Sequence, residues 1–259
     1  PPGLSARIPR HWAYSRLRLR KDKRSGVPLA GVHHIEGHIL ANALEGPLEC
    51  PALVLVVSGG HTQLVHLEKV GRSEIVGSTR DDAAGEAFDK IGKLLGLPFP
   101  GGPAIERAAR EGNAAAYKFP RGLRHSSGCD FSFSGLKTAV RLKVESLDEI
   151  TPRIVADVAA SAQEAIVESL VEKSILAARE RGAQKLYLAG GVASNGRLRE
   201  VMKERLRASG IAVAWPRPEY CTDNAAMIAC AAFYHIGAGL IDGLKLNSFA
   251  RGNLVNWAS

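Results

Sequence analysis

Lys185-Leu-Tyr-Leu-Ala-Gly-Gly-Val-Ala-Ser-Asn195 reads as a strand, a glycine turn and the start of a helix. Lys185–Ala189 is short, apolar and closed by Gly190-Gly191, and helical spacing resumes from Asn195 to Ala208. Ile211-Ala-Val-Ala-Trp215 repeats the strand signal, and Thr222 to His235 reads as a last helix with Thr222 or Asp223 as its cap. Strands alternating with helices in this order predict an α/β fold with parallel strand pairs.

Upstream, Ala52-Leu-Val-Leu-Val-Val57 is an apolar run ended by Ser58-Gly59-Gly60, and His61–Leu67 continues as an alternating strand. Together they predict a hairpin around a tight glycine loop. Helical spacing covers 31–44 and Asp82–Leu95, and Pro98 to Pro103 break the chain before a helix near Ile105–Arg110. Cys129-Asp-Phe-Ser-Phe-Ser-Gly135 alternates at period two and leads into a helix from Leu136. A long helical stretch follows from about Pro152 to Arg181, with Gly182 as its stop.

The composition is that of an ordinary globular protein, 259 residues with 46% hydrophobic and 23% charged side chains. No apolar run approaches the roughly 20 residues of a membrane-spanning helix, no secretory signal is visible, and a cytoplasmic protein is expected. Cys50, Cys129, Cys221 and Cys230 form no C-x-x-C pair, so neither a zinc ribbon nor a thioredoxin-like site is suggested. The net charge of +8 is concentrated in residues 1–27, where Asp22 is the only acid, and the remaining body is nearly neutral. Charge therefore points to a nucleic-acid partner only through this arm.

His34-Ile-Glu-Gly-His38 carries the chemistry. Two imidazoles four residues apart share a helix face and can converge on one ion, or each can be satisfied by another partner. Glu36 points elsewhere. The protease motif H-E-x-x-H requires Glu at the position held by Ile35, so the general base of a zincin is missing. Gly190 and Gly191 bring backbone N–H groups where a phosphate or nucleoside could approach. Asn195 suits either a helix cap or a ligand hydroxyl, and Asp223 either a cap or a metal ligand. Ser58-Gly59-Gly60 reads as an oxygen-binding backbone turn. The chain has no P-loop, no G-x-G-x-x-G and no G-x-S-x-G.

Seven stretches in order resemble the TsaD family of tRNA N6-adenosine threonylcarbamoyltransferases, once described as O-sialoglycoprotein endopeptidases. They are His34–His38, Val57-Ser-Gly-Gly-His-Thr62, Asp82-Ala-Ala-Gly-Glu-Ala-Phe-Asp-Lys90, Pro100-Gly-Gly-Pro103, Asp130-Phe-Ser-Phe-Ser-Gly-Leu-Lys137, Ala189–Asn195 and Cys221-Thr-Asp-Asn-Ala-Ala-Met-Ile-Ala229. The resemblance implies an actin-like ATPase (ASKHA, ribonuclease H-like) fold with its second lobe largely complete and its first lobe mostly missing. It implies metal ligation by His34, His38 and Asp223, with Fe2+ as the ion and Zn2+ also suited. It implies substrate contacts from Val57, Ser58, Gly59, Gly60, His61, Asp89, Gly102 and Asn195. The implied reaction transfers threonylcarbamoyl from L-threonylcarbamoyl-AMP to N6 of adenosine 37 in tRNAs reading codons that begin with A. The implied partners are tRNA, a paralogous protein and an ATPase, with no membrane. No residue is assigned as a catalytic acid or base.

On this reading the chain divides into an atypical basic segment (1–27), a metal-site helix left from the first lobe (28–48), the second lobe (49–235) and a tail (236–259). Residues 6–24 replace an expected helix of small residues and read as out-of-frame or foreign sequence, or else as a basic arm contacting tRNA. With the first lobe shortened, the chain alone is expected to be poorly stable or inactive. Two other functions remain, a metallopeptidase and a non-catalytic nucleotide-binding or scaffold lobe.

Overall fold

The computed structural model describes residues 28–243 and 245–248, together with 254, 256 and 257. The basic segment 1–27 and most of the tail beyond 248, on which expectations were placed above, lie outside the described residues.

β1 (Ala52–Val57) is the centre of a five-stranded sheet. All six of its residues are buried, because both faces of the sheet are covered, which is why it reads as a continuous apolar run rather than an alternation. β2 (Thr62–Lys69) returns antiparallel through the Ser58–His61 loop, as the hairpin reading predicted. β3 (Arg72–Ser78) extends the sheet beyond β2, and β4 (Lys185–Ala189) and β5 (Ala212–Ala214) lie parallel on the other side of β1. The strand order is β3-β2-β1-β4-β5, and β2 alone runs against the other four.

One face of the sheet is covered by α2 (Ala84–Leu94), α4 (Ser134–Glu145), α5 (Pro152–Arg181) and α6 (Gly196–Arg207), and α3 (Gly101–Ala109) packs on α2 and α5. Leu53, Leu55, Leu64, Leu186 and Leu188 point into this side against Phe88, Phe131, Phe133 and the small-residue face of α5. The opposite face carries α1 (His34–Leu40), whose Ile35 and Ile39 pack on Val54, Val56, Val65 and Tyr187. α8 (Ala225–Gly237) lies against α1, and a short α7 (Pro218–Cys221) precedes it. Among the described residues no helix is long and apolar enough to cross a membrane.

Several local readings need correction. The helix expected over 31–44 begins at His34 and tightens into a 3-10 turn at Ala41–Leu44. α3 starts at Gly101, so Pro103 sits in its first turn, where a missing N–H removes no intrahelical bond. The period-two alternation at 129–135 builds no strand, and the helix that follows starts at Ser134 rather than Leu136. Asp130 Oδ1 accepts the Ser78 N–H that the next strand would have used, so pairing ends after a single Thr79–Phe131 bridge. β3 carried no apolar alternation and escaped the sequence reading. The cap of α8 is neither Thr222 nor Asp223: Asn224 Oδ1 accepts from Met227 N at 2.9 Å.

α5 runs unbroken for 30 residues. Thr151 caps it by accepting from Ile154 N, Pro152 occupies its first position, and Gly182 at φ 61° ends it in the left-handed region. α2 is capped from a distance, Thr62 Oγ1 on β2 accepting from Ala84 N at 2.9 Å.

Candidate metal centre and adjoining cleft

α1 presents His34 and His38 on consecutive turns of one face, with ring centroids 4.8 Å apart. Asp223 arrives from the turn between α7 and α8, released from capping by Asn224. Its Oδ1 lies 3.4 Å from His34 Nε2 and 3.1 Å from His38 Nε2. Ligand atoms of these three residues fall within 4.8 Å of one another. Metal–ligand bonds of about 2.1 Å place neighbouring donors about 3.0–3.4 Å apart, which the two nitrogen–oxygen separations match.

His38 provides a test of whether the residues suit an ion. Its ring is 1% exposed, and neither nitrogen makes an aligned hydrogen bond, although Nε2 is close to Asp223. An orphaned buried polar atom costs about 1–3 kcal/mol, and a cation held between the nitrogens and the carboxylate removes that cost. The donor set of two imidazoles and a carboxylate suits Zn- or Fe-type ions. His34, His38 and Asp223 therefore form a candidate metal site. It is open on one side, because Asp223 keeps 66% of its side chain exposed while His38 is buried.

The two imidazoles act oppositely on the charged forms of their acidic and basic neighbours. The His34 contact first, and then the His38 contact, hold the Asp223 carboxyl far below the usual carboxylate range. His61 is exposed by area at the hairpin turn, yet its ring is crowded. Desolvation, followed by the His34 and His38 rings, holds it below an ordinary histidine.

Beside the triad opens a cavity of about 160 Å³, lined by Gly59, Asp89, Gly102, Asn195, Glu106 and Thr222 among others. Gly59, Asp89, Gly102 and Asn195 are thus brought together from the hairpin loop, α2, α3 and the α6 N-terminus. Asp89 Oδ1 accepts from Gly101 N at 2.8 Å, tying α2 to the start of α3. Asn195 Oδ1 caps α6 by accepting from Leu198 N, and its Nδ2 donates to Gln163 Oε1, both at 2.9 Å.

The other expected residues stand at the rim or behind it. Val57 turns its side chain into the core, so only its backbone faces the loop. Ser58 Oγ accepts from His61 N at 3.1 Å and Gly60 N at 3.4 Å, which fixes the loop's shape. Gly190, at φ 89°, sits against the Val57 backbone where a Cβ would collide with its carbonyl. The close approach of β1 and β4 at the cleft thus requires glycine there.

Glu106 and Thr222 were missed by sequence reasoning. Glu106 Oε1 accepts from Gly196 N at 2.9 Å, and its spacing on α3 gave no signal. Thr222 lines the cavity immediately before Asp223, so cleft and metal centre are contiguous. Glu36 faces away from the triad and is held by His235 and Trp257. It cannot activate a water at the metal, and the metallopeptidase reading loses its only candidate base on α1.

A family model described as TsaD, tRNA N6-adenosine threonylcarbamoyltransferase, matches residues 23–230. The enzyme of that name from Desulfitobacterium hafniense (strain Y51) is 52% identical over 218 residues, covering 81% of this chain and 62% of the relative. Those from Syntrophotalea carbinolica and Clostridium perfringens are 51% and 50% identical over 223 residues, covering 86% and 85% of this chain. The chain spans 65% and 66% of their lengths, less than two thirds in each case. Among solved structures, HypF of T. kodakarensis superposes with a TM-score of 0.57 at 16% identity, over 81% of this chain and 37% of that one. Full-length HypF in its phosphate- and nucleotide-bound form gives 0.63 at 13% identity, over 81% and 43%. These two likenesses concern the fold alone and agree with the α/β expectation. With more than half of its length matched by the family model, and with such identities, this chain belongs to the TsaD family of tRNA N6-adenosine threonylcarbamoyltransferases.

Proposed function

We propose that the protein takes part in transferring the threonylcarbamoyl group from L-threonylcarbamoyl-AMP to N6 of adenosine 37 in tRNAs reading codons that begin with A. The observation that carries this reading is the meeting of His34, His38 and Asp223 next to a cleft lined by Gly59, Asp89, Gly102 and Asn195. In the transfer, the adenine N6 forms a bond to the carbamoyl carbon, the carbon–oxygen bond to AMP breaks, and one N6 proton is released to solvent as AMP leaves with the bridging oxygen. The exocyclic amine is a weak nucleophile, so holding it in line with the carbonyl accounts for much of the rate effect.

His34, His38 and Asp223 would hold one divalent cation, Fe2+ with Zn2+ as the other suited ion. Bound there, it supplies Lewis acidity and an orienting point for substrate oxygens. The Val57–His61 turn faces the adenylate through Gly59, which lines the cavity, while Ser58, Gly60 and His61 bond to one another and hold the turn in shape. Asp89, Gly102 and Asn195 line the position of its other end. The cavity is smaller than the roughly 300 Å³ of a typical whole-ligand pocket. It takes one part of the adenylate, while the remainder extends over the open side toward the triad.

The same proposal includes a first-lobe helix at 28–48 and a second lobe at 49–235, a cytoplasmic location, and work with tRNA, a paralogous protein and an ATPase. The test is calorimetry with a non-hydrolysable threonylcarbamoyl adenylate and with Zn2+, on the wild-type chain and on His34→Ala/His38→Ala. One equivalent of each is expected for wild type, and the metal is lost in the variant. A folded wild-type chain that binds neither refutes the reading.

A further inference from the structure

Glu36 stands between the two candidate ligands in the sequence but takes no part in the triad. Its side chain is buried, the residue being 8% exposed, and both oxygens are engaged. Oε2 lies 2.9 Å from His235 Nε2 on α8, and Oε1 accepts from Trp257 Nε1 at 2.9 Å. The His235 and Trp257 rings meet edge to face, 4.7 Å between centroids. Trp257 is itself anchored, its N–H donating to Gly71 O at the β2–β3 turn. One residue on, Gly37 allows α1 to lie close on α8, where an added Cβ would stand 3.0 Å from Ile228 Cδ1.

Burying a carboxylate carries a desolvation cost that an apolar side chain at this position would avoid. What the carboxylate adds is direction. Apolar helix faces pack in several neighbouring arrangements, whereas two hydrogen bonds to fixed partners admit one. Side-chain tips lie about 5–6 Å from a helix axis, so a 20° turn of α1 would move its imidazoles by roughly 2 Å. That is the length of a metal–nitrogen bond. α1 carries two ligands and α8 begins just after the third, so the rotation of one helix against the other sets the site.

We propose that Glu36 is a positioning residue for the metal centre: with His235 and Trp257 it fixes α1 against α8 so that His34 and His38 face Asp223. This inference rests on the metal-site reading above. It also accounts for the middle of the His-x-Glu-Gly-His motif, with Gly37 setting the approach of the helices and Glu36 their rotation.

The test uses the full chain and Co2+ as probe, reading the ligand-field absorption and the dissociation constant by chelator competition. Glu36→Ala and His235→Asn are each expected to weaken Co2+ binding by about 10–100-fold, the range seen when ligand-orienting groups are removed. The double variant should be no weaker than the worse single, because the two side chains make one contact. Glu36→Gln keeps an oxygen for Trp257 and an amide toward His235, and should stay within about threefold of wild type. A folded Glu36→Ala with wild-type affinity and spectrum overturns the proposal. Glu36→Gln as weak as Glu36→Ala also overturns it, since the effect would then belong to charge. Should Glu36→Ala fail to fold, wild-type affinity in both His235→Asn and Trp257→Phe overturns it equally. A wild-type chain that binds no Co2+ overturns the metal reading and this inference together, whereas wild-type binding with unaffected variants overturns only this one.

Discussion

Replacing Asn195 by alanine removes a helix cap and a buried amide contact in one step. Asn195 is 6% exposed, and its Oδ1 accepts from Leu198 N at 2.9 Å at the start of α6. Its Nδ2 donates to Gln163 Oε1 at 2.9 Å and reaches Glu106 Oε2 at 3.5 Å. Loss of a cap costs about 0.5–2 kcal/mol. Leaving the Gln163 oxygen, on a residue only 7% exposed, without a donor costs about 1–3 kcal/mol. The two share one side chain and do not simply add, so a total of about 2–4 kcal/mol is expected. For a chain of this size that lowers the melting temperature by roughly 5–15 °C.

Thermal unfolding followed by circular dichroism measures it. Asn195→Ser keeps an oxygen for the Leu198 N–H and should lose only the Gln163 share. Adding Gln163→Leu to Asn195→Ala should recover part of the loss, because the stranded oxygen is gone. An Asn195→Ala protein melting within about 1 °C of wild type refutes the reasoning. Asn195→Ser as damaging as alanine would show that the cap contributes nothing.

His38→Ala should reduce bound metal to background in elemental analysis, and stoichiometric metal in the folded variant would exclude it as a ligand. Lys173 is buried, and its Nζ donates to Ser126 O, Ser126 Oγ and Gly128 O. Lys173→Met should therefore destabilise by about 2–3 kcal/mol and expose 121–128 to limited proteolysis, and an unchanged digestion pattern would count against it. For Asp81, burial pushes the pKa up, but hydrogen bonds from Ser132, the Phe133 N–H and Ser134 outweigh it and leave the pKa below an ordinary carboxylate. A lowered folded pKa gives stability that is present above about pH 4 and lost as pH falls through the folded value. The stability gap between wild type and Asp81→Asn should thus shrink from pH 6 to pH 3 in denaturant titrations, and a gap constant with pH would refute it.

Much of the architecture was legible because it rests on local pattern. β1 and β4 were readable to the residue, since strands covered on both faces are apolar wherever they are buried, with Lys185 at the half-buried start of β4, and both end at glycine turns. α5 was legible from Thr151-Pro152 at one end and Gly182 at the other. β3 was not, because an edge strand with one open face carries Arg72, Ser73 and Glu74 and shows no apolar alternation. The stretch 129–135 misled for the opposite reason: it alternates, but side chains of Asp81 and Asp130 take the N–H groups that a strand ladder would need. The cap of α2 was invisible in its own neighbourhood, because the acceptor comes from Thr62 on another element.

Sequence by itself determined the α/β class, the family and the pair of imidazoles on one helix face, because periodicity, motif order and i, i+4 spacing are properties of the chain. It left open whether Asp223 caps a helix or meets those imidazoles, and what Glu36 does. Only the tertiary structure decided these: Asn224 takes the cap, Asp223 turns to His34 and His38 across more than 180 positions of sequence, and Glu36 is bound on the far side by His235 and Trp257. Coordination and hydrogen bonding depend on distances of about 2–3 Å, and contacts that short between remote segments exist only once the helices have packed.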